Sequence, residues 1–336
     1  MGEQEHEARE AAASRHTPVM LERCVDLLAP ALDHEGAVAI DGTLGMGGHT
    51  EGILERCPRA RVVGIDRDPQ AIALASARLA RFGDRFVAHH AEYDDIPGAL
   101  AAAGVDRADG ILLDLGVSSL QIDDAERGFS YAQDAPLDMR MNPGDPVSAA
   151  DLLRDADERE LTRILRVYGE ERFASKIARS IVRRRETDPI TRSGELVDLV
   201  RACIPAATRT PGAGNPAKRT FQALRIAVNR ELEVLERAIP AAIEGVGVGG
   251  RVVVESYHSL EDRIVKRAFA EGAETQAPPG LPVIPDSAQP YLRLLTRGAE
   301  KASAEEAEAN PRSKPVRLRA AERLRPTPPE RLRRTA

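Results

Sequence analysis

The sequence predicts an α/β fold: a doubly wound, mostly parallel sheet interrupted by an inserted all-helical domain. Three observations predict it. Short β-rich runs, each ending in an acid or a glycine loop, alternate with helical patterns from Ala37 to Asp114. From Asp151 onward the apolar residues recur at helical spacing and strand signals vanish. They resume at Arg251-Val252-Val253-Val254-Glu255, after a predicted helix over Phe221 to Ile239.

The first strand, Ala37-Val38-Ala39-Ile40, runs straight into Asp41-Gly42-Thr43-Leu44-Gly45-Met46-Gly47-Gly48-His49, and a helix opens near Thr50. Glycines at alternating positions let the backbone take positive φ and approach a ligand closely, and the helix start aims unpaired N–H groups into the same space. The spacing is not Gly-x-Gly-x-x-Gly, since Thr50 falls in the last place, and no Walker lysine is present. The stretch resembles instead the acidic-then-glycine loop of S-adenosylmethionine-dependent methyltransferases, where a zwitterionic amino acid tail lies over the glycines.

The second strand, Arg61-Val62-Val63-Gly64-Ile65, ends in Asp66, 25 positions after Asp41, and the helix Pro69 to Leu79 follows. An acid at this edge can accept both hydroxyls of a ribose. The third run, Arg85-Phe86-Val87-Ala88, leads to Glu92-Tyr93, whose ring can cover adenine; the fourth, Gly110 to Leu113, ends in Asp114. Singly, each has a plain structural reading as a tight turn, a helix cap or a core aromatic. Four such runs in order place all four loops on the carboxyl edge of one parallel sheet, where open α/β folds bind ligands.

Composition agrees with a cytoplasmic enzyme. The chain has 336 residues, 42% hydrophobic, which suffices for one large or two medium cores, but only 3% aromatic and no Trp. Cys24, Cys57 and Cys203 form no close pair, and seven histidines include no His-Glu-x-x-His, so a metal site is not expected. No run has the length or apolarity of a signal peptide core or a membrane span.

The helical segment begins with Leu152, Leu153, Leu161, Ile164 and Leu165 and continues through Phe173 to Arg184 and Leu196 to Ile204. It is entered through the Pro/Gly-rich stretch Pro136 to Pro146. Between Arg163 and Arg230 there are 15 Lys/Arg against 6 Asp/Glu, within a chain of net charge −6. Arg179, Arg183, Arg184 and Arg185 lie opposite Phe173, Ile177 and Ile181, as on a solvated helix face. The size of the excess, and the basic loop Thr208 to Arg219 with Lys218 and Arg219 at its end, favour a phosphate-contacting surface. The predicted layout is thus a disordered start (1–14), a Rossmann-like domain from 15–135 and 221–325, a helical substrate-recognition insertion at 136–220, and a loose Pro/Arg tail at 326–336.

Chemistry is expected where the fourth strand ends, at Asp114-Leu115-Gly116-Val117-Ser118-Ser119. In amino-methylating enzymes an acid here accepts a hydrogen bond from the target NH₂ and aims its lone pair at the methyl group, so that catalysis is alignment and electrostatics. Asp114 is the candidate. The usual Pro-Pro-aromatic ending is missing, and Phe129, Tyr131 and Tyr257 are the rings available for stacking a base. His258 is a candidate base for the released proton.

Longer motifs carry a more specific resemblance. His16-Thr17-Pro18-Val19-Met20-Leu21, the Asp41–His49 loop, Gly110 to Ser119, Ala125-Glu126-Arg127-Gly128-Phe129-Ser130, Pro136-Leu137-Asp138-Met139-Arg140-Met141, Gly169-Glu170-Glu171-Arg172-Phe173-Ala174, Arg219-Thr220-Phe221-Gln222-Ala223 and His258-Ser259-Leu260-Glu261-Asp262-Arg263 together resemble the bacterial 16S rRNA (cytosine-N4)-methyltransferase family, RsmH or MraW, over about Thr17 to Arg323. The resemblance implies methyl transfer from S-adenosylmethionine to N4 of one cytidine in the decoding centre of the small (30S) ribosomal subunit. It further implies that Gly47, Gly48 and His49 hold the cofactor's methionine part, Asp66 the ribose, Tyr93 the adenine side, and Asp114 and Gln121 the rest of the pocket. The family more often has Phe at the position of Tyr93, and Lys314-Pro315 stands where it usually has small residues. Two other readings use the same sheet: a DNA amino-methyltransferase, which should carry a target-recognition domain and the Pro-Pro-aromatic ending, and a non-catalytic ribosome-assembly factor that binds the cofactor as a structural ligand.

Overall fold

The computed structural model describes residues 18–205, 215–275, 277 and 285–329. The chain divides into two compact units, 1–116 with 233–336, and 117–232. The expected start at 1–14, the basic loop from Thr208 to Gly214 and the tail beyond Pro329 lie outside the described residues.

The first unit is built on seven strands: β1 (Val38–Asp41), β2 (Arg61–Asp66), β3 (Phe86–His90), β4 (Ala108–Asp114), β5 (Val246–Ser256), β6 (Leu292–Leu294) and β7 (Arg317–Arg323), in the order β3-β2-β1-β4-β5-β7-β6. β1 to β5 run parallel; β7 is antiparallel to β5, and β6 to β7. The order reverses between β1 and β4, the topological switch point of a doubly wound sheet.

Helices follow in chain order. In the first unit these are α1 (Leu21–Leu28), α2 (Gly48–Arg56), α3 (Pro69–Leu79) and α4 (Ile96–Ala103). The second unit holds α5 (Ser119–Asp123), α6 (Ala149–Asp155), α7 (Glu158–Val167), α8 (Ala174–Arg185), α9 (Ser193–Cys203) and α10 (Lys218–Asn229); α11 (Glu231–Gly245), α12 (Ser259–Ala273) and α13 (Ala304–Ala309) come after it. None is long and apolar enough to cross a membrane.

Strand residues alternate between two cores. Val38, Ile40, Val63, Ile65, Ile111, Leu113, Val252 and Val254 face one, shared with α4, α11 and α12. Ala39, Val62, Leu112, Val253, Leu318 and Ala320 face the other, shared with α1, α2 and α3. Burial on both faces is why these strands read as continuous apolar runs. It also fixes where the strand-end acids point. Asp41 pairs with Leu112, and Asp114 with Glu255; because side chains alternate with period two and register partners share a face, all three acids stand on the face covered by α1 and α2.

The helical unit has its own core, in which Leu153, Leu161, Ile164, Ile177, Ile181, Leu196 and Val200 meet Phe221 and Leu224 of α10. Phe129 and Tyr131 pack against this core, and Tyr131 meets Phe221 edge-on at 5.8 Å and 82°. These contacts draw both ends of the segment into the unit, so its limits fall at 117 and 232, outside the expected 136–220.

The single helix expected over Phe221 to Ile239 is two. Arg230 takes φ 52° and ends α10, while the Asn229 side chain accepts from Met141 N–H at 2.8 Å and donates to Met139 O at 2.8 Å. These bonds tie the last residue of α10 to the Met139–Met141 segment, next to a non-glycine residue in a costly conformation. In the segment expected as a loose tail, Thr327 is buried and its hydroxyl donates to the Glu244 carboxylate.

Candidate active site

The glycine loop is clamped at both ends by Asp41. Its carboxylate is 1% exposed, accepts from Thr43 N–H at 3.2 Å and receives the Thr50 hydroxyl at 2.7 Å. Burial pushes this carboxyl up from its usual range, opposed by His49 and Thr50. Between the clamps, Gly45 (φ 51°) and Gly47 (φ 78°) turn the chain so that Gly47 caps α2 and Gly48 begins it. A Cβ on Gly47 would stand 3.0 Å from Leu79 Cδ1 and 3.3 Å from the Ala75 Cβ. The first-turn N–H groups of α2 have no acceptor within the helix.

Asp66, at the end of β2, accepts from Gly45 N–H at 2.8 Å and from Asp68 N–H at 2.8 Å, one bond to each oxygen. It therefore shapes the loop it faces, and each oxygen keeps a lone pair for another donor. Burial raises its carboxyl to about 6, against the lowering by those two bonds. Tyr93 lies over the start of the loop, its Cβ 3.5 Å from where a Cβ of Gly42 would be.

At the end of β4, Asp114 is fixed from three sides. Its N–H donates to Thr43 Oγ1 at 2.6 Å, its Oδ1 accepts the Tyr257 hydroxyl at 2.7 Å, and its Oδ2 lies 3.7 Å from His49 Nδ1. The other ring nitrogen of His49, Nε2, is 3.0 Å from Val19 O and 3.5 Å from Glu255 Oε2. A carbonyl only accepts, so Nε2 carries a hydrogen. Glu255 is fully buried, and neither of its oxygens has a hydrogen-bond partner among the described residues. Burial, then the neighbouring Asp114, pushes its carboxyl well up; burial likewise raises Asp114, which His49 and Tyr257 oppose. An unpaired buried carboxylate costs on the order of several kcal/mol to ionise, so burial favours the protonated form of each acid. Tyr257 and Cys24 are also pushed well up by burial and these acids.

His258, the candidate base, is the N-cap of α12. Its Nδ1 accepts from Glu261 N–H at 3.4 Å and its Nε2 lies 3.2 Å from Glu261 Oε1. Tyr257, not His258, is thus the residue of this motif that reaches Asp114.

The remaining sequence candidates lie in the helical unit. Gln121 is buried in a capping box with Ser118 that opens α5. Phe129 is half-buried against the helical core. Lys218 and Arg219 are exposed at the start of α10, with Arg219 donating to Glu170 O at 3.1 Å. Of the arginines expected on a solvated face, Arg185 instead donates to the carbonyls of Leu153 and Ala156 at the end of α6, and Arg184 to Asp188; Arg183 is exposed.

The chain that folds into this sheet, with a glycine loop after β1 and acids ending β1, β2 and β4, matches the sequence profile of the MraW methylase family over residues 13–324. The chain belongs to the MraW methylase family. Its relatives include proteins named ribosomal RNA small subunit methyltransferase H from Beutenbergia cavernae (64% identical, covering 94% of this chain and 95% of the relative), Nocardioides sp. (61%; 92% and 96%) and Streptomyces avermitilis (58%; 93% and 98%). Among solved structures, an rRNA methylase from Streptococcus thermophilus aligns at 12% identity and a TM-score of 0.41, covering 90% of this chain and 94% of that one. The match to the MraW methylase family spans both units.

Within this MraW methylase, Thr43, Thr50 and Glu255 were not singled out from the sequence. Glu255 carried the one available signal, an acid at the end of three consecutive valines in a strand buried on both faces.

Proposed function

We propose that the chain transfers a methyl group from S-adenosylmethionine to the exocyclic N4 of a cytidine in the decoding centre of 16S rRNA, within the small ribosomal subunit. The observation that carries the reading is the placement of Asp114, a carboxylate held at the carboxyl end of β4 beside the glycine loop with one oxygen bonded to Tyr257. Membership of the family and relatives named for the small-subunit ribosomal RNA support the substrate.

The residues present fit the donor. The turn at Gly47 would crowd a Cβ against Leu79 and Ala75, and it presents backbone N–H groups to an amino acid tail. Asp66 retains acceptor capacity for ribose hydroxyls, Tyr93 supplies a ring for adenine, and Gly48 and His49 complete the proposed pocket in the first unit; Gln121, in the second unit, is a further proposed donor-binding residue. When bound, the donor supplies an electrophilic methyl on a sulfonium.

Asp114 accepts a hydrogen bond from the target amine, orients its lone pair and stabilises the positive charge that develops on nitrogen. Thr43 and Tyr257 hold Asp114 in that orientation. The target base leaves its stack to reach such a site, at a cost of a few kcal/mol that is lower for a nucleotide already in a loop. Phe129 and Tyr257 are proposed to stack it, and Lys218 and Arg219 to contact phosphates. His258 caps α12 by accepting from Glu261 N–H; it is not needed as the proton acceptor, and His258→Ala should keep turnover within a few-fold.

The test is transfer of labelled methyl to small subunits lacking the modification, beside naked rRNA and duplex DNA, followed by nucleoside digestion. N4-methylcytidine from subunits is the expected product. Label in DNA, or none in rRNA, would overturn the reading.

A further inference from the structure

Behind Asp114 lies a group that the alignment of an amine does not require. Glu255 is closed off from solvent and its two oxygens accept no hydrogen bond among the described residues. Its surroundings are the Cys24 thiol from α1, the His49 ring from α2, Asp114 from β4, Tyr257 after β5 and Glu306 from α13, with Asp41 and Glu261 next beyond Asp114. The imidazole of His49 stands between the two carboxylates, 3.5 Å from one and 3.7 Å from the other. The largest influences on this pair are burial and neighbouring acids, with Cys24 acting against them at Glu255 and His49 and Tyr257 at Asp114. Cys24, His49 and Glu255 also bring donor atoms within 4.8 Å of one another, but a metal there would have to displace the His49 bond to Val19.

We infer that Glu255, His49 and Asp114 form a proton-holding cluster that senses the charge of the methyl donor: entry of the cationic donor expels a proton from the cluster, and methyl transfer restores it. This deepens the function proposed above and rests on it. A sulfonium placed before two acids that share one proton favours their ionised form, whereas the product sulfide carries no such charge. The cycle balances. As the N–C bond forms, the C–S bond breaks and its electron pair passes to sulfur; the proton leaving nitrogen goes to Asp114, replacing the one released on binding. The product sulfide, which lacks the sulfonium charge, then faces a cluster that again holds one proton and one negative charge, and loses its electrostatic hold. Glu255 acts here as a positioning residue, since it sets the charge of Asp114 without touching substrate.

The experiment is calorimetric titration of the full chain with S-adenosylmethionine and with S-adenosylhomocysteine, from about pH 5.5 to 7, where the α-amino group of each ligand stays protonated. Buffers of different ionisation enthalpy report the protons exchanged. S-adenosylmethionine should release up to one proton more than S-adenosylhomocysteine, any release from Asp66 at the ribose being common to both, so the affinity ratio of the two should rise by up to about tenfold per pH unit. Glu255→Gln should bind both ligands and flatten that rise. The wild-type comparison stands without the variant, and Tyr257→Phe, which removes a donor to Asp114, should increase the protons released. Equal proton release with both ligands, or none with the cation, overturns the inference and leaves the cofactor reading intact. If neither ligand binds, both fail.

Discussion

Asp114 draws its orientation from Thr43 and Tyr257, so its removal should cost catalysis more than folding. Asp114→Asn keeps an acceptor for Tyr257 but loses the charge facing the amine; kcat for methyl transfer should fall by about 10²- to 10³-fold while subunit binding in a sedimentation assay is unchanged. Asp66 makes a different prediction. Its folded carboxyl lies at about 6, against 3.8 for the free group. The native state therefore binds more protons than the unfolded state between these values, and stability falls as pH rises through this window. The shift corresponds to at most about 3 kcal/mol, less for a half-buried group that water still reaches. Asp66→Asn removes the ionisation, so the melting temperature of the variant relative to wild type should climb between about pH 4 and pH 7; a constant difference would remove Asp66 as the cause. Asp41, Asp66 and Asp114 were legible in the sequence because each ends an apolar run at a strand-loop junction. Glu255 was not, because its significance depends on α1 and α2 covering it from far away in the chain.

Among the elements, the β1–α2 turn is the most constrained. Gly47→Ala would place a Cβ 3.0 Å from Leu79 Cδ1 at a φ of 78°, and should lower stability to urea by roughly 1–3 kcal/mol together with donor affinity. The parallel strands β1 to β5 were readable, though not their order, since parallel strands buried on both faces announce themselves as apolar runs. β6 was missed: three residues, Leu292-Arg293-Leu294, two of them exposed on an edge, carry too little pattern. The break between α10 and α11 was also unreadable. Nothing local marks Arg230 as left-handed, and the bonds of Asn229 beside it reach Met139 and Met141, far away in the chain. The apparent solvated stripe on α8 was partly misread for the same reason, because Arg185 satisfies carbonyls at the end of α6.

For the molecule as a whole, the excess of basic residues between Arg163 and Arg230 within a chain of net charge −6 puts the proposed phosphate-contacting surface in the helical unit. Replacing Lys218 and Arg219 together by Glu should weaken binding to small subunits and reduce the slope of log affinity against log salt by about 1 for each phosphate no longer neutralised, with donor binding in calorimetry unaltered. An unchanged slope would exclude these two residues from the phosphate surface.

The interruption of the sheet also sets a schedule for synthesis. β4 and β5 are neighbours, with Asp114 beside Glu255 in register, yet 140 residues of chain separate the two acids. At about 5–20 residues per second, a ribosome making this chain needs roughly 10–30 s between them. Through that interval the helical unit is completed while β4 waits without its partner, an open edge of the kind that invites mispairing. The chain's reactive centre is therefore among the last parts of the fold to come into being.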